Sequence, residues 1–598
     1  MIRKVLIKKN TYRDSLFLMV INAQVQILAG IEELAVMMGT DSNKDVMKQV
    51  GFSGREIDSA TANDMLICVK GQDEGVLKKA FAQIEDMLTR KPSPAELEDV
   101  YKTLESVMRE RPETNFAIIS VPGQFAAREA RKALMHGLNV LLFSDNVSLK
   151  DEIELKELAS ELNRIVMGPD CGTAIINHVP LAFANLVKPG PIGIIAAAGT
   201  GLQEVACLID RQGQGISQAI GTGGRDLCGD VGAHSMLKGI DILEEDSTTE
   251  VIVLISKPPA RSSMSKVLDR VSKSGKKFVV SFLGCESDVI SGSGAIPVRT
   301  LEEAAFLAVA TLKGEPYEYR VFTIPQAELE KRLQEETEKM SPEQRFIRGL
   351  YSGGTLCYEA MMVIRDSVKE VYSNVASDPG FLLVDPAGAK KHSFIDFGDD
   401  YFTKGRPHPM MSPDTRSDYI KRQGEDPEVA VLLLDIVLGY GSHMDMAGAL
   451  GGSIAAAKSK AEKNGGHLTV VASVCGTARD QQGFSSQVSK LEEVGVVVMP
   501  SNAQAARFAA MISTQREKGI SDVKEEQTRR EIDMEIERDR EAPKKPKSFF
   551  EKELVVVNIG VKPFYDDLKR SNVRVSHVDW QPPAGGDDEM TGLLDKLL

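Results

Sequence analysis

Pro191-Ile192-Gly193-Ile194-Ile195-Ala196-Ala197-Ala198-Gly199-Thr200-Gly201-Leu202-Gln203-Glu204-Val205 reads as an apolar strand, a Gly/Thr turn and the start of a helix. Such βα steps in series build a parallel sheet wound on both faces. The pattern recurs at Ile347-Arg348-Gly349-Leu350-Tyr351-Ser352-Gly353-Gly354-Thr355, followed by Leu356-Cys357-Tyr358-Glu359-Ala360. A small-residue turn into a helix leaves several main-chain N–H groups aimed at one spot, and the helix dipole favours an anion there. Gly199, Thr200 and Gly201, with Ser352, Gly353, Gly354 and Thr355, are thus candidates for holding phosphate or an acyl-phosphate oxygen. Neither turn has the GxxxxGK[ST] pattern of a nucleotide triphosphate loop.

The two stretches head units of matching order. Each helix is followed by a Gly/Asp loop, Gly221-Thr222-Gly223-Gly224-Arg225-Asp226 or Asp396-Phe397-Gly398-Asp399-Asp400. Next come apolar strands after an acidic residue, Glu250-Val251-Ile252-Val253-Leu254 and Glu428-Val429-Ala430-Val431-Leu432, and closing strands at Lys277–Ser281 and Leu468–Ser473. This order points to a diverged duplication, 189–320 and 346–516, around a polar helical connector, 321–345. Upstream, 113–188 alternates strands (Phe116–Val121, Val140–Phe143, Arg164–Met167) with helices (Phe125–His136, Leu149–Leu162) as a Rossmann-like unit. Residues 1–92 read as a small α/β module, with strands at Arg3–Lys8 and Met65–Lys70 and helical spacing over Gln26–Met38 and Glu74–Leu88. A charged linker, 517–550, carries nine acidic and eight basic side chains between Ser521 and Phe550. A βαβ-like piece, 551–598, is too short to bury much core alone and is expected to dock on something, a partner included.

The chain has 598 residues, a net charge of −14, 6% aromatics and one tryptophan, Trp580. With no basic stripe interleaved with aromatics, a nucleic-acid partner is not expected. Seven scattered cysteines without a CxxC fit a reducing cytosol and encode neither a disulfide framework nor a zinc ribbon. The most apolar stretch, Val429 to Val437, is short and carries Asp435, far from the ~20 residues that span a bilayer. A cytoplasmic protein without a membrane partner is the expectation.

Residues 116–312 resemble the α-subunit of succinyl-CoA synthetase, through Val121-Pro122, Gly168-Pro169-Asp170-Cys171-Gly172, Ile192-Gly193-Ile194, Ala198-Gly199-Thr200 and Gly221 to Asp226. With Gly405-Arg406-Pro407-His408-Pro409-Met410 and Val474-Cys475-Gly476-Thr477 added, the whole chain resembles the FdrA family. The resemblance implies a CoA-binding-like Rossmann domain and two flavodoxin-like ligase domains, with Gly168, Asp170 and Cys171 facing a cofactor. It further implies one subunit of a carbamoyltransferase, acting with two neighbouring subunits, that interconverts oxalurate plus phosphate with oxamate plus carbamoyl phosphate. The terminal Val578-Asp579-Trp580-Gln581-Pro582-Pro583-Ala584 resembles the beginning of a partner of such proteins and reads as a docking element.

Departures from the synthetase bear on mechanism. The family's phosphorylated histidine has no counterpart in Ser291-Gly292-Ser293-Gly294-Ala295-Ile296, and Ser256-Lys257-Pro258-Pro259 stands where its supporting glutamate would be. A Gly-rich CoA loop is not visible at the head of the Rossmann unit, and an ATP-grasp domain is missing. Carbamoyl transfer to phosphate needs none of these, only placed donors for phosphate and for the tetrahedral oxyanion. No cofactor is then required beyond phosphate or carbamoyl phosphate as substrate. The alternatives are a CoA- and ATP-dependent acid–CoA ligase working with a partner, and a non-catalytic scaffold that keeps an anion site.

Lys257, at the carboxyl end of a strand, suits an anion pocket. His408, in a proline-flanked turn with Arg406, could bind a carboxylate and move a proton. Gly223, Gly224 and Arg225 could face the phosphate, or Arg225 and Asp226 could pair with each other. Cys171 and Cys475 fit buried packing better than nucleophilic chemistry, and Asp399-Asp400 alone is no basis for a metal site.

Overall fold

The structure, a computed structural model, describes residues 2–11, 13, 15–26, 28–49, 51–89, 99–317, 320–376, 378–403, 407–514, 549–550 and 553–583. Strands β1 (Ile2–Lys8), β2 (Ile31–Met38) and β3 (Met65–Gly71) form an antiparallel sheet in the order β1-β3-β2. Helices Ser15–Gln26 and Glu74–Thr89 cover one face through Leu18, Ile21 and Ile84, while Met47, Phe52 and Ile57 fill the other. The helical reading of Gln26–Met38 is corrected here. The helix ends at Gln26, Gly30 turns the chain at φ 93°, and a strand follows. Between Ala35 and Met38 successive side chains enter alternate cores, the period of two that a sheet with both faces covered requires.

Residues 99–167 supply β4 (Val100–Tyr101), β5 (Phe116–Ile119), β6 (Asn139–Leu142) and β7 (Val166–Met167). The next sheet holds β8 (Thr173–Ile176), β9 (Val179–Ala182), β10 (Pro189–Ala196), β11 (Ile216–Gly221), β12 (Val251–Ser256), β13 (Lys277–Phe282) and β14 (Ile296–Pro297), ordered β14-β13-β12-β10-β11-β8-β9. A further sheet contains β15 (Phe346–Tyr351), β16 (Val371–Ser373), β17 (His392–Asp396), β18 (Val429–Val437), β19 (Thr469–Cys475) and β20 (Val496–Met499), ordered β16-β17-β15-β18-β19-β20. The series β14-β13-β12-β10-β11 and β20-β19-β18-β15-β17 share one topology, as a duplication requires.

The two units share one hydrophobic core. Glu204 and Glu359 each stand five residues past the first glycine of helices Gly199–Arg211 and Gly354–Arg365. Each carboxylate crosses to the other unit's last helix: Leu301 N–H donates to Glu359 at 2.6 Å and Asn502 N–H to Glu204 at 3.2 Å. Exchange of equivalent contacts is the signature of a two-fold interface.

The final segment, expected to dock on something, docks on the Rossmann-like unit of its own chain. Its strands, β21 (Val555–Ile559) and β22 (Arg574–Val578), join the Rossmann-like sheet to give β4-β22-β21-β5-β6-β7, parallel throughout. Three valines and Ile559, buried on both faces of β21, cannot stay in water and are satisfied only inside a sheet.

Candidate functional site

β10 and β15 run into helices Gly199–Arg211 and Gly354–Arg365, neither capped by its N-cap side chain. The two starts meet: Thr355 N–H donates to Thr200 Oγ1 at 3.3 Å, and a Cβ on Gly353 would press on Thr200. The duplicated turns therefore form one locus, but they are not equivalent. At the second, Ser352 and Gly353 N–H donate to Asp435 at 2.8 and 2.7 Å, and the Ser352 hydroxyl donates to it at 3.0 Å. Asp435 is itself fully buried and paired at 3.1 Å with Arg416, also fully buried. A carboxylate supplied by the protein already fills the second turn, which corrects the expectation of a substrate site at Ser352 and Gly353. At the first turn, the amides of Gly199, Thr200 and Gly201 have no acceptor among the described residues. That start is open.

Two groups from different units flank the junction. Lys257 follows β12, whose Ile255 lies beside Ala196 just before the open turn. Asp396 ends β17, 5% exposed, and accepts from Gly398 N–H at 2.8 Å. A Cβ on Gly354 would collide with Oδ2 of Asp396 and stand 3.4 Å from Nζ of Lys257, so only glycine lets the helix start sit between them. Burial pushes the Asp396 carboxyl up to about 6, against the pull of Lys257.

His408 enters from the same side. Its Nε2, the Asp396 carboxylate and the Ser352 carbonyl all lie within 3.4 Å of the point a Cβ on Gly398 would occupy. Burial and then Arg416 lower its pKa to about 4, so the imidazole is neutral near pH 7. Met410 N–H donates to Nδ1 at 3.3 Å, which assigns the remaining proton to Nε2. His408 is thus a hydrogen-bond donor at the site rather than a nucleophile. Arg406 lies outside the described residues.

The other candidates form the wall. Asp170 reaches solvent at its edge, where the surrounding protein desolvates it and, with Asp145 and Asp400, lifts it to about 6. Gly224 lies against it. Gly223, at φ 84°, is a packing joint in which a Cβ would collide with the Pro169 carbonyl, and Gly168 packs on the Leu142 carbonyl. Cys171 is buried, its thiol pushed up to about 12 by burial. Arg225 is neither at the phosphate turn nor on Asp226. Its guanidinium donates to the Val147 carbonyl at 2.8 Å and forms an ion pair with Glu152 at 2.9 Å, a buried carboxylate that Lys156 also neutralises. Asp226 pairs with Lys156 at 2.8 Å and accepts from Ser235 and Met236 N–H.

Asp396 and Asp435 were missed as site residues by sequence reasoning. A charge inside the uniformly apolar Val429–Val437, and a carboxylate where the first unit has Gly221, were the available signals.

A CoA-ligase family model matches residues 350–512, and one described as AllF, heavy metal-associated domain, matches residues 1–103. The uncharacterized protein YahF of Escherichia coli K12 is 43% identical over 509 residues, 85% of this chain and 98% of YahF. The chain belongs to the YahF family. The succinate–CoA ligase [ADP-forming] subunit alpha of Methanothermobacter thermautotrophicus is 27% identical over 206 residues, 33% of this chain and 68% of that one. PH0766 from Pyrococcus horikoshii OT3 superposes with a TM-score of 0.30 at 16% identity, covering 70% of this chain and 87% of that one. This YahF-family chain is accordingly a mixed α/β, succinyl-CoA synthetase-like protein of the CoA-ligase type.

The heavy-metal name does not extend to a metal site here. Residues 1–103 hold one cysteine, Cys68, and no histidine. Cys68 is fully buried, its thiol pushed up to about 12 by burial, with Sγ 3.8 Å from Sδ of Met47. Soft metals need thiolate or imidazole sets. Among the described residues no helix is long and apolar enough to cross a membrane.

Proposed function

We propose that the chain is one subunit of a multisubunit enzyme of acid–CoA-ligase type that transfers a carbamoyl or related acyl group to and from phosphate. In the narrowest form of this reading, oxalurate and phosphate give oxamate and carbamoyl phosphate. What supports it is the acceptor-free start of helix Gly199–Arg211, joined through Thr200 to the start of helix Gly354–Arg365, where Lys257 meets Asp396, a buried carboxyl raised to about 6. The amides of Gly199, Thr200 and Gly201, with Lys257, would hold the phosphate oxygens. Asp396 would take the proton as a phosphate oxygen attacks the carbamoyl carbon, and return it to the amide nitrogen as the C–N bond breaks. His408, protonated at Nε2, would donate to the oxyanion of the tetrahedral intermediate. No side chain is phosphorylated in this scheme.

A second reading, CoA-dependent acid ligation with a nucleotide-binding partner, is favoured by the CoA-ligase match. It is also favoured by the completed Rossmann-type sheet, whose switch point lies between β21 and β5, where such folds take their ligands. Lys562 and the start of helix Gly123–Met135 would face an anionic cofactor there. One experiment separates the two. The purified chain, alone and with its partner subunits, is assayed for carbamoyl phosphate formed from oxalurate and phosphate, and for CoA-dependent ATP consumption. Carbamoyl phosphate without nucleotide supports the first reading. Label from γ-phosphate ATP trapped on a histidine of this chain overturns it.

A further inference from the structure

The order β4-β22-β21-β5-β6-β7 is the Rossmann order 3-2-1-4-5-6, with β21 in the place of strand 1 and β22 in that of strand 2. Strands 1 and 2 of this order are therefore in the last described part of the chain, while strands 3 to 6 lie more than 380 residues earlier. The central pair, β21 and β5, has Val556 opposite Phe116 and Ile559 opposite Ile119. Its edge bonds are complete: Asn115 N–H donates to the Val555 carbonyl at 3.0 Å and Ser120 N–H to the Ile559 carbonyl at 2.9 Å. Val561 N–H reaches Ser120 Oγ at 2.8 Å.

We infer that the edge of β5 is a socket for a separable C-terminal module, residues 553–583, and that the module can be supplied by a second copy of this chain. The module presents one apolar face, Val556, Phe564 and Leu568, to a socket of Phe116, Ile118 and Leu141, and a second, Val557, Ile559 and Trp580, to one that includes Phe125. Its helix Lys562–Arg570 also grips the second ligase-like unit, where Gly441 N–H donates to Asp567 at 3.2 Å and the Tyr440 hydroxyl bonds Ser571. Phe183 links this helix to the site, with its ring 6.1 Å from Phe564 and 5.4 Å from His408. Seating the module thus closes the wall behind His408. The inference rests on topology and packing and is independent of the reaction proposed above.

Trp580 is the chain's single tryptophan and lies in the module, 9% exposed with its ring 5.4 Å from that of Phe125, so its emission reports seating. A specific protease sequence is placed between residues 515 and 548 of the full chain, and the purified protein is cut. The two fragments should co-elute with Trp580 emission unchanged. When cut protein is mixed with cut protein carrying a C-terminal tag, and the mixture is unfolded in urea and refolded, about half of the tag should appear on untagged bodies. Val557→Asp, at a fully buried β21 position, should release the cut module while the larger fragment keeps its circular dichroism. A module lost on cutting the parent protein, a tag that never transfers, or V557D retained as firmly as the parent would each overturn the inference.

Discussion

Replacing Asp396 by asparagine should make this protein more stable at neutral pH while abolishing its chemistry. The carboxyl is 5% exposed and its pKa rises from 3.8 to about 6, so the folded state binds this proton more tightly than the unfolded chain does. Stability contributed by the group is therefore present below about pH 4, falls as pH rises towards 6, and is fully lost above it. A shift of about two units at 1.36 kcal/mol each makes the ionised form cost about 3 kcal/mol at pH 7.5. Asparagine removes that cost and keeps an oxygen for Gly398 N–H, losing about 1 kcal/mol of hydrogen-bond strength. The net gain is about 2 kcal/mol at pH 7.5 and close to none at pH 4.5, or roughly 4–8 °C in Tm for a cooperative unit of 150–250 residues. Thermal melts of D396N and the parent at both pH values measure it, and carbamoyl phosphate formation should fall about 10²–10⁴-fold in parallel. A variant equally or less stable at pH 7.5, or one whose Tm difference is the same at both pH values, would show that Asp396 is only a structural acceptor and would refute the reasoning.

Lys257→Met should weaken phosphate binding at least about tenfold by titration calorimetry and, since Lys257 holds the Asp396 carboxyl down, move the acid limb of the activity profile upward. His408→Gln, which retains an N–H donor, should keep more kcat than His408→Ala, and neither should alter KM for phosphate by more than about threefold; equal loss in both would remove the donor role. Glu359, fully buried and raised by burial to about 7, favours its neutral form, so stability should rise as pH drops from 8 towards 5. Glu359→Gln should flatten that slope in urea melts, and an unchanged slope would mean another group sets it. Asp435→Leu alone strands buried Arg416 and should cost about 3–5 kcal/mol in urea melts, whereas D435L/R416M should recover only the part due to the guanidinium, since the Ser352 and Gly353 donors still lack their acceptor.

The duplicated architecture could be read from the sequence because its determinants are local. A strand, a small-residue turn and a helix carry their own periodicities, and the Glu204/Glu359 and Gly221/Asp396 correspondences fall at structurally equivalent places. The place of β21 and β22 was not legible, since a βαβ segment declares that it needs a sheet but not which edge will take it. The helix misread over Gln26–Met38 has a different cause: apolar residues feeding two cores in alternation also satisfy helical spacing over a short run. At the site, Lys257 and His408 could be proposed from strand ends and proline-flanked turns. Which amides are free depends on contacts between distant residues, such as the 83 positions separating Ser352 from Asp435, and these leave no local mark.

The strand registers of the two units account for one helix start having a carboxylate acceptor and the other none among the described residues. In the first unit Ala196, just before the turn, lies between Gly221 of β11 and Ile255 of β12. In the second, Tyr351 has Asp396 as its β17 partner, and continuing the Leu350–Leu434 register by one residue puts Asp435 on its other side. Neutral neighbours in one copy are thus carboxylates in the other. The amides of the helix start flanked by Gly221 and Ile255 meet no acceptor among the described residues, which is what the proposed phosphate site uses. The start flanked by Asp396 and Asp435 carries its own carboxylates: Asp435 is ion-paired with Arg416, and burial raises Asp396 to about 6. If the proposed transfer to phosphate holds, these two differences between the matching units would set an anion-accepting turn beside a carboxyl able to exchange a proton, the pairing that such a transfer requires.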